Sequence, residues 1–186
     1  MAGSGEPLPV DDAAATAPAW LADAGRSLRT LAVIWATVEI ERAHADLERA
    51  AVVRTTESPG AVPLVASAKE DPHLGACVLV LPAAGNGVPV ALAEPSTEGR
   101  LAATLARRGE GPAGRYVLVR AGLAAVSTLA ATAGIPLSAP AMGPFERSVL
   151  VLAGRVAGSP LIPAGPHLIL VDPPGILVER AVPSRS

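Results

Sequence analysis

The sequence predicts an α+β fold of two βαβββ modules, and three observations carry that prediction. Residues 31–38 (LAVIWATV) are an apolar run followed directly by an amphipathic stretch, the opening of a strand–helix unit. Asn86-Gly87 lies between two apolar runs, 76–81 and 88–93, and Asn-Gly favours the positive backbone angles of a tight hairpin. Residues 88–118 read strand, short helix, glycine-rich turn, strand, and the same order of elements then returns in weaker form.

Taken in order, residues 1–27 are rich in Ala, Gly, Pro, Asp and Ser without periodicity, and read as a disordered tail. Trp20-Leu21 is its apolar exception and can dock on the body or on a partner. The strand at 31–38 is apolar nearly throughout, so both of its faces should be covered. In the helix at 39–51, Ile40, Ala43, Leu47 and Ala51 share one side, and Glu41, Arg42, Asp46, Glu48 and Arg49 point elsewhere. A second strand is expected at 51–56, then a loop at 58–74 containing His73. Glu94-Pro95 stops the strand at 88–93, because proline cannot continue a ladder. Ser96 or Thr97 is expected to cap a helix at 97–108 whose apolar side is Leu101, Thr104 and Leu105. Arg107 and Arg108 suit its last turn and Gly109 ends it. Strand 114–120, helix 123–133 with Leu123, Val126, Leu129 and Ala130 on one side, an edge strand at 136–139, and strands at 148–153 and 167–171 complete the series. Asp172-Pro173-Pro174 closes the last one.

Composition narrows the function. With 186 residues the chain is long enough for a sizeable core in one domain or one paired-module domain. A net charge of -2 and a pI near 5.9 give no electrostatic case for nucleic acid or an anionic membrane. Lys69 is the only lysine, and aromatics at 2% are too few for a base-stacking platform. Cys77 is alone, which rules out an intrachain disulfide and argues for a packed thiol in an apolar strand. No apolar run reaches membrane-spanning length and no signal pattern opens the chain, so a cytoplasmic protein is expected.

The segment Ala91-Leu92-Ala93-Glu94-Pro95, the helix after it, and the turn Gly109-Glu110-Gly111 resemble the middle of a vicinal oxygen chelate protein. That is the superfamily of glyoxalase I, the bleomycin-resistance proteins and methylmalonyl-CoA epimerase, and the likeness is greatest to the epimerases. The opening strand followed by Glu39-Ile40-Glu41-Arg42-Ala43 is similar to the strand, Asp-Leu-like step and helix that begin a module there. The resemblance implies a glyoxalase-like domain at 28–175, with modules at 28–95 and 110–175 joined by the helix at 97–108, and a C-terminal tail at 176–186. It also implies that the modules curl into one mixed sheet around a central cup.

In that superfamily a divalent ion, held in the cup by His, Gln or Glu from the first and last strands of each module, polarises the substrate's oxygens. The resemblance places the four ligand positions at Ala32, Ala91, Gly114 and Leu170. None has a ligating side chain, and the neighbours Ile34, Ala113 and Leu168 have none either. The nearest candidates, Asp172 and His167, lie toward the strand ends. The chain therefore reads as a degenerate member without the metal site, and no cofactor is expected. A cup lined by Ala32, Ile34, Ala91, Gly114, Tyr116 and Leu170 suits an apolar or aromatic small molecule if it is open. Large neighbours filling it would leave solid core.

Other motifs carry less. Residues 109–114 match G-x-G-x-x-G, but here a helix precedes and a strand follows, the reverse of a dinucleotide site. His44, His73 and His167 do not form a ligand set, Glu146-Arg147 reads as an exposed pair, and Trp35 should point away from the cup. Three functions remain open. The first is a metal-free small-molecule binding protein, usually a dimer in the bleomycin-resistance branch. The second is an isomerase or lyase using non-metal residues around Tyr116, with Asp172 or His167. The third is a non-catalytic assembly or regulatory subunit with a filled cup.

Overall fold

Alternation sets the first strand. Along β1 (Leu28–Ala36), Ala32, Ile34 and Ala36 are fully buried while Val33 and Trp35 are half-buried. The chain, seen here as a computed structural model, is described over residues 20–21, 28–54, 67–82, 87–152, 155–156, 159–160 and 166–173.

Next come α1 (Ile40–Arg54), β2 (Lys69–Asp71), β3 (Ala76–Leu81), β4 (Val90–Pro95) and α2 (Arg100–Arg108). The second half holds β5 (Gly111–Val119), α3 (Gly122–Thr132), β6 (Ala141–Gly143), β7 (Glu146–Leu150) and β10 (His167–Val171). Two-residue strands β8 (Arg155–Val156) and β9 (Ser159–Pro160) pair with each other before β10. Eight strands form one sheet in the order β2-β3-β4-β1-β5-β10-β7-β6. Each module has its first strand beside its last, in parallel: β1 with β4, and β5 with β10. β1 and β5 run antiparallel at the centre and join the halves. The result is a curled, nearly closed α+β sheet of two βαβββ modules. Among the described residues no helix is long and apolar enough to cross a membrane.

A bulge decides which residues face inward. Thr30 pairs with Val117 and Ala32 with Tyr116, leaving Leu31 as the extra residue. Beyond it, Ala32, Ile34 and Ala36 join the inner cluster with Ala91, Ala93, Val78, Tyr116 and Ile169. Before it, Leu28 packs with the outer cluster of Val117, Val119, Leu123, Val126, Leu168 and Leu170, under α3. Leu21 is buried in that same outer cluster with Trp20 beside it, so this pair docks on the body.

Several elements differ from the sequence reading. Residues 51–54 continue α1 where a strand was expected, and the second strand is instead β2, inside the expected loop. A helix with Ile40 buried and Glu41 in its first turn propagates readily, and the Val52-Val53 pair does not stop it. The edge strand falls at Ala141–Gly143, while Leu137 makes only an isolated bridge to Val151. Neither Ser96 nor Thr97 caps α2. Gly99 holds the N-cap position, and the Ser96 hydroxyl goes to Glu70 Oε2 at 3.0 Å. β3 and β4 pair antiparallel from Leu81–Val90 to Ala76–Pro95, although Gly85-Asn86 of the turn lies outside the described residues.

The two modules start their helices by the same device. Glu94, which follows Ala93 at the end of β4, accepts a hydrogen bond from Ile40 N at 2.9 Å. Asp172, which follows Val171 at the end of β10, accepts one from Leu123 N at 2.7 Å. An acid followed by proline thus ends each parallel strand and holds a first-turn N–H of the neighbouring helix. Glu110, in the turn before β5, adds to the first device. Its Oε1 accepts from Thr37 Oγ1 at 2.6 Å, Val38 N at 2.9 Å and Arg42 Nη2 at 2.5 Å. Those bonds, Thr37's first, pull its carboxyl pKa down to about 2.

Glu94→Ala and Asp172→Ala should each lower stability by about 1 kcal/mol, the usual value of a helix N-terminal acceptor. Urea unfolding measures this directly, and unchanged midpoints for both would mean that the acids are idle.

Candidate functional site

The register stacks the inner positions in levels. Ala91, Ile34, Gly114 and His167 lie side by side across β4, β1, β5 and β10. The next level holds Ala32, Tyr116 and Ile169. Five of the six expected cup residues are therefore on the inner face: Ala32, Ile34, Ala91, Gly114 and Tyr116. Leu170 is the correction. It pairs with Val117, because Ile169 stands opposite Tyr116, and alternation turns Leu170 outward against α3. The inward residues of β10 are His167, Ile169 and Val171.

Gly114 cannot carry a ligand. A Cβ built there would lie 2.1 Å from His167 O and 2.7 Å from His167 N, so β10 occupies the space that any side chain would need. His167 is the one donor on this level, and it is committed elsewhere. Its Nε2 is 2.9 Å from Thr104 Oγ1 on α2, and that hydroxyl donates to Arg100 O at 2.9 Å. With the hydroxyl proton used, Nε2 carries the imidazole hydrogen and donates. Burial first, then the positive charges of Arg100 and Arg108, push the His167 pKa down to about 4. Among the described residues no three His, Cys, Asp or Glu side chains gather as a metal would need. One neutral imidazole among Ile34, Ala91 and Gly114 does not fit a divalent ion.

The polar group of the cup lies one level further, where the outer edges of the two modules meet. Tyr116 donates to Asp71 Oδ2 at 2.5 Å, and both side chains are fully buried. The other carboxylate oxygen, Oδ1, accepts from His73 N at 2.8 Å and Leu74 N at 3.3 Å. His73 reaches across to module two: its Nε2 is 3.1 Å from Ser148 O, and Ser138 Oγ is 3.3 Å from its Nδ1. A carbonyl only accepts, so Nε2 carries a hydrogen here too. Burial first, then the Asp71 charge, hold the Tyr116 phenol well above its ordinary pKa, so it stays a donor.

The expected partners of Tyr116 were Asp172 or His167, and the structure supplies Asp71. Asp172 is engaged at the start of α3 and His167 under α2. Asp71 was missed because it sat in an expected loop. Its signal was Asp71-Pro72-His73 itself, since an aspartate whose side chain binds the N–H two residues on is a common turn former.

The deep cup is filled. Ala32, Ile34, Ala91, Tyr116 and Ile169 are all 0% exposed. Phe145, the only phenylalanine, packs its ring 5.0 Å from that of Tyr116, the only tyrosine. Phe145 precedes Glu146, a non-glycine residue with a φ of 94°, so the turn that carries it is held at a costly angle. A recess of about 170 Å³ lies at the mouth, lined by Ser67, Lys69, Val78, Val80, Pro144 and Phe145. None of the six expected cup residues lines it.

No family model and no curated protein matches the sequence. Solved structures do match in fold. The chain is similar to methylmalonyl-CoA epimerase from Mycobacterium tuberculosis at 17% identity and a TM-score of 0.60, over 79% of this chain and 89% of that one. It is similar to a hypothetical protein from Bacillus halodurans C-125 at 15% identity and a TM-score of 0.58, over 79% and 95%. A Streptomyces coelicolor methylmalonyl-CoA epimerase variant in complex with 2-nitronate-propionyl-CoA matches at 16% identity and a TM-score of 0.54, over 81% and 98%. At these identities the likeness is one of fold: the vicinal oxygen chelate architecture.

His167 makes stability depend on pH. Its folded pKa of about 4 lies below the ordinary 6.5, so the unfolded chain takes up a proton first as pH falls. Stability is then full above the ordinary value and is lost progressively down to the folded one. The loss between pH 7.5 and 5 should be about 2 kcal/mol. Urea midpoints across that range should show the loss in the native protein and a much flatter dependence in His167→Asn. An equal slope in both would place the titration elsewhere.

Proposed function

We propose that the protein is a metal-free, glyoxalase-like binding protein that takes a small apolar molecule at the mouth of its cup. The observation that carries this reading is that the four positions where the resemblance implies metal ligands, Ala32, Ala91, Gly114 and Leu170, hold no ligating side chain, and that their neighbours across the inner level are Ile34 and a single imidazole, His167. Gly114 has no space for a side chain and His167 is kept neutral and hydrogen-bonded. The binding reading moves from the deep cup to the recess, because the deep residues leave no volume and the recess does. Its walls of Val78, Val80, Pro144 and Phe145 favour an apolar guest. Its volume lies below the several hundred Å³ of drug-sized sites, so the guest is small.

A second reading, the non-catalytic assembly or regulatory subunit, draws support from the filled deep cup. The isomerase reading draws less. Tyr116 is fully buried and its hydroxyl is bound to Asp71, so the residue best suited to move a proton is sealed from the recess by packing.

Metal content of the purified protein, with thermal melts across divalent ions, tests the proposal. No stoichiometric metal and no shift are expected. Stoichiometric metal, or a large shift at low ion concentration, would overturn the proposal and restore an epimerase-like site.

A further inference from the structure

We infer that the mouth recess selects a small apolar monocarboxylate, with Lys69 as its counter-charge. The inference rests on the binding reading above and names the ligand class for the same site. Three observations support it.

The first is where the charge lies. Lys69 pairs with Val78 in the β2–β3 register, and Asp71 with Ala76, so Lys69 is on the inward face of β2. It lines the recess together with Val78 and Val80 of β3 and with Pro144 and Phe145 of the β6–β7 turn. A cation therefore stands at the rim of an apolar hollow between the two modules.

The second is that, among the described residues, the Lys69 ammonium has no ion-pair partner. The Lys69 ammonium reaches across the gap to Pro144 O at 3.5 Å, a marginal bond that leaves most of its donor capacity unused. The two acids nearest in sequence are occupied. Glu70 points to the opposite face of the strand, where its Oε2 accepts from Ser96 Oγ at 3.0 Å. Asp71 is fully buried and its two oxygens already accept three donors. Ser67, an exposed hydroxyl residue, is also in the lining.

The third is size and shape. A hollow of about 170 Å³ has room for a single ring or a short branched chain. The acid group would meet Lys69 and Ser67 at the rim, and the apolar body would rest on Val78, Val80 and the Phe145 ring. A neutral guest would leave the ammonium unpaired, and a large or doubly charged one would not fit the apolar floor.

The test uses the intact chain. Lys69 is the only lysine, so reductive ¹³C-methylation, which keeps the charge, gives one side-chain NMR reporter beside the terminal amine. Benzoate and isobutyrate are titrated at low ionic strength, with benzamide as the neutral isostere of benzoate. Both acids should shift the Lys69 resonance saturably, with benzamide binding about tenfold more weakly. Calorimetry should show Lys69→Met losing about tenfold in benzoate affinity with little change for benzamide, and Lys69→Arg staying close to native. Thermal melts of both variants should match the native protein, since Lys69 is exposed. Equal binding of acid and amide, or unchanged benzoate affinity in Lys69→Met, would overturn the carboxylate inference and leave the binding reading standing. Binding of none of the three probes would overturn both.

Discussion

The hydrogen bond from Tyr116 to Asp71 is the interaction on which the shape of the cup depends. It joins the central strand of module two to the edge strand of module one, across the space the sheet curls around. Neither group tolerates isolation there: an unpaired buried carboxylate costs several kcal/mol, and an unpaired buried phenol costs about 1–3 kcal/mol. The pair therefore forms together or the edge opens. His73 extends the same join to the Ser148 carbonyl on β7, so the edge strand β2 and the turn after it are tied across the cup to β5 and to β7. With the edges held in, Ile34, Ile169 and the small side chains of Ala32 and Ala91 fill the interior and leave no room for a guest. Among the described residues the deep positions of the cup form core, and a recess lies at the rim.

The two-module plan is maintained by devices that repeat in space. Each parallel strand ends in an acid followed by proline, Glu94-Pro95 or Asp172-Pro173, and each acid holds the start of its module's helix. The central β1–β5 pair is the exception to symmetry. A bulge at Leu31 exchanges the faces of β1 part-way along, so its beginning serves the outer core under α3 and its end serves the cup. Gly114 is tied to the same geometry, since β10 approaches β5 closely enough to exclude a Cβ. A side chain at that position is therefore excluded by packing.

Much of this was legible in the sequence, and the reason differs by element. β1, β3, β4 and β10 announced themselves because buried strands are short apolar runs bounded by turn residues. Helices α2 and α3 showed their inward faces through spacing alone, with Leu101, Thr104, Leu123, Val126 and Ala130 all buried. The edge strands β2 and β6 were not legible: three-residue strands of Lys-Glu-Asp and Ala-Met-Gly carry no periodicity. The side assigned to Leu170 failed for a related reason. Every residue of β10 is buried, so its sequence gives no alternation from which to tell inner from outer. The polar heart of the site was hidden with β2, since a register was needed to bring Asp71 to Tyr116.

The closure leaves a filled interior, an imidazole at His167 committed to Thr104, and a recess lined by Val78, Val80, Pro144 and Phe145 with Lys69 beside them. The measurement that tests the closure most directly is an ultraviolet titration of the phenol, which reports on Tyr116 alone because the chain has one tyrosine. The account predicts no ionisation through the ordinary range near pH 10, and then a steep change only when alkali unfolds the protein. A smooth, reversible titration near pH 10 in the folded state would contradict it, because the phenol would be reached by water and the cup would be open.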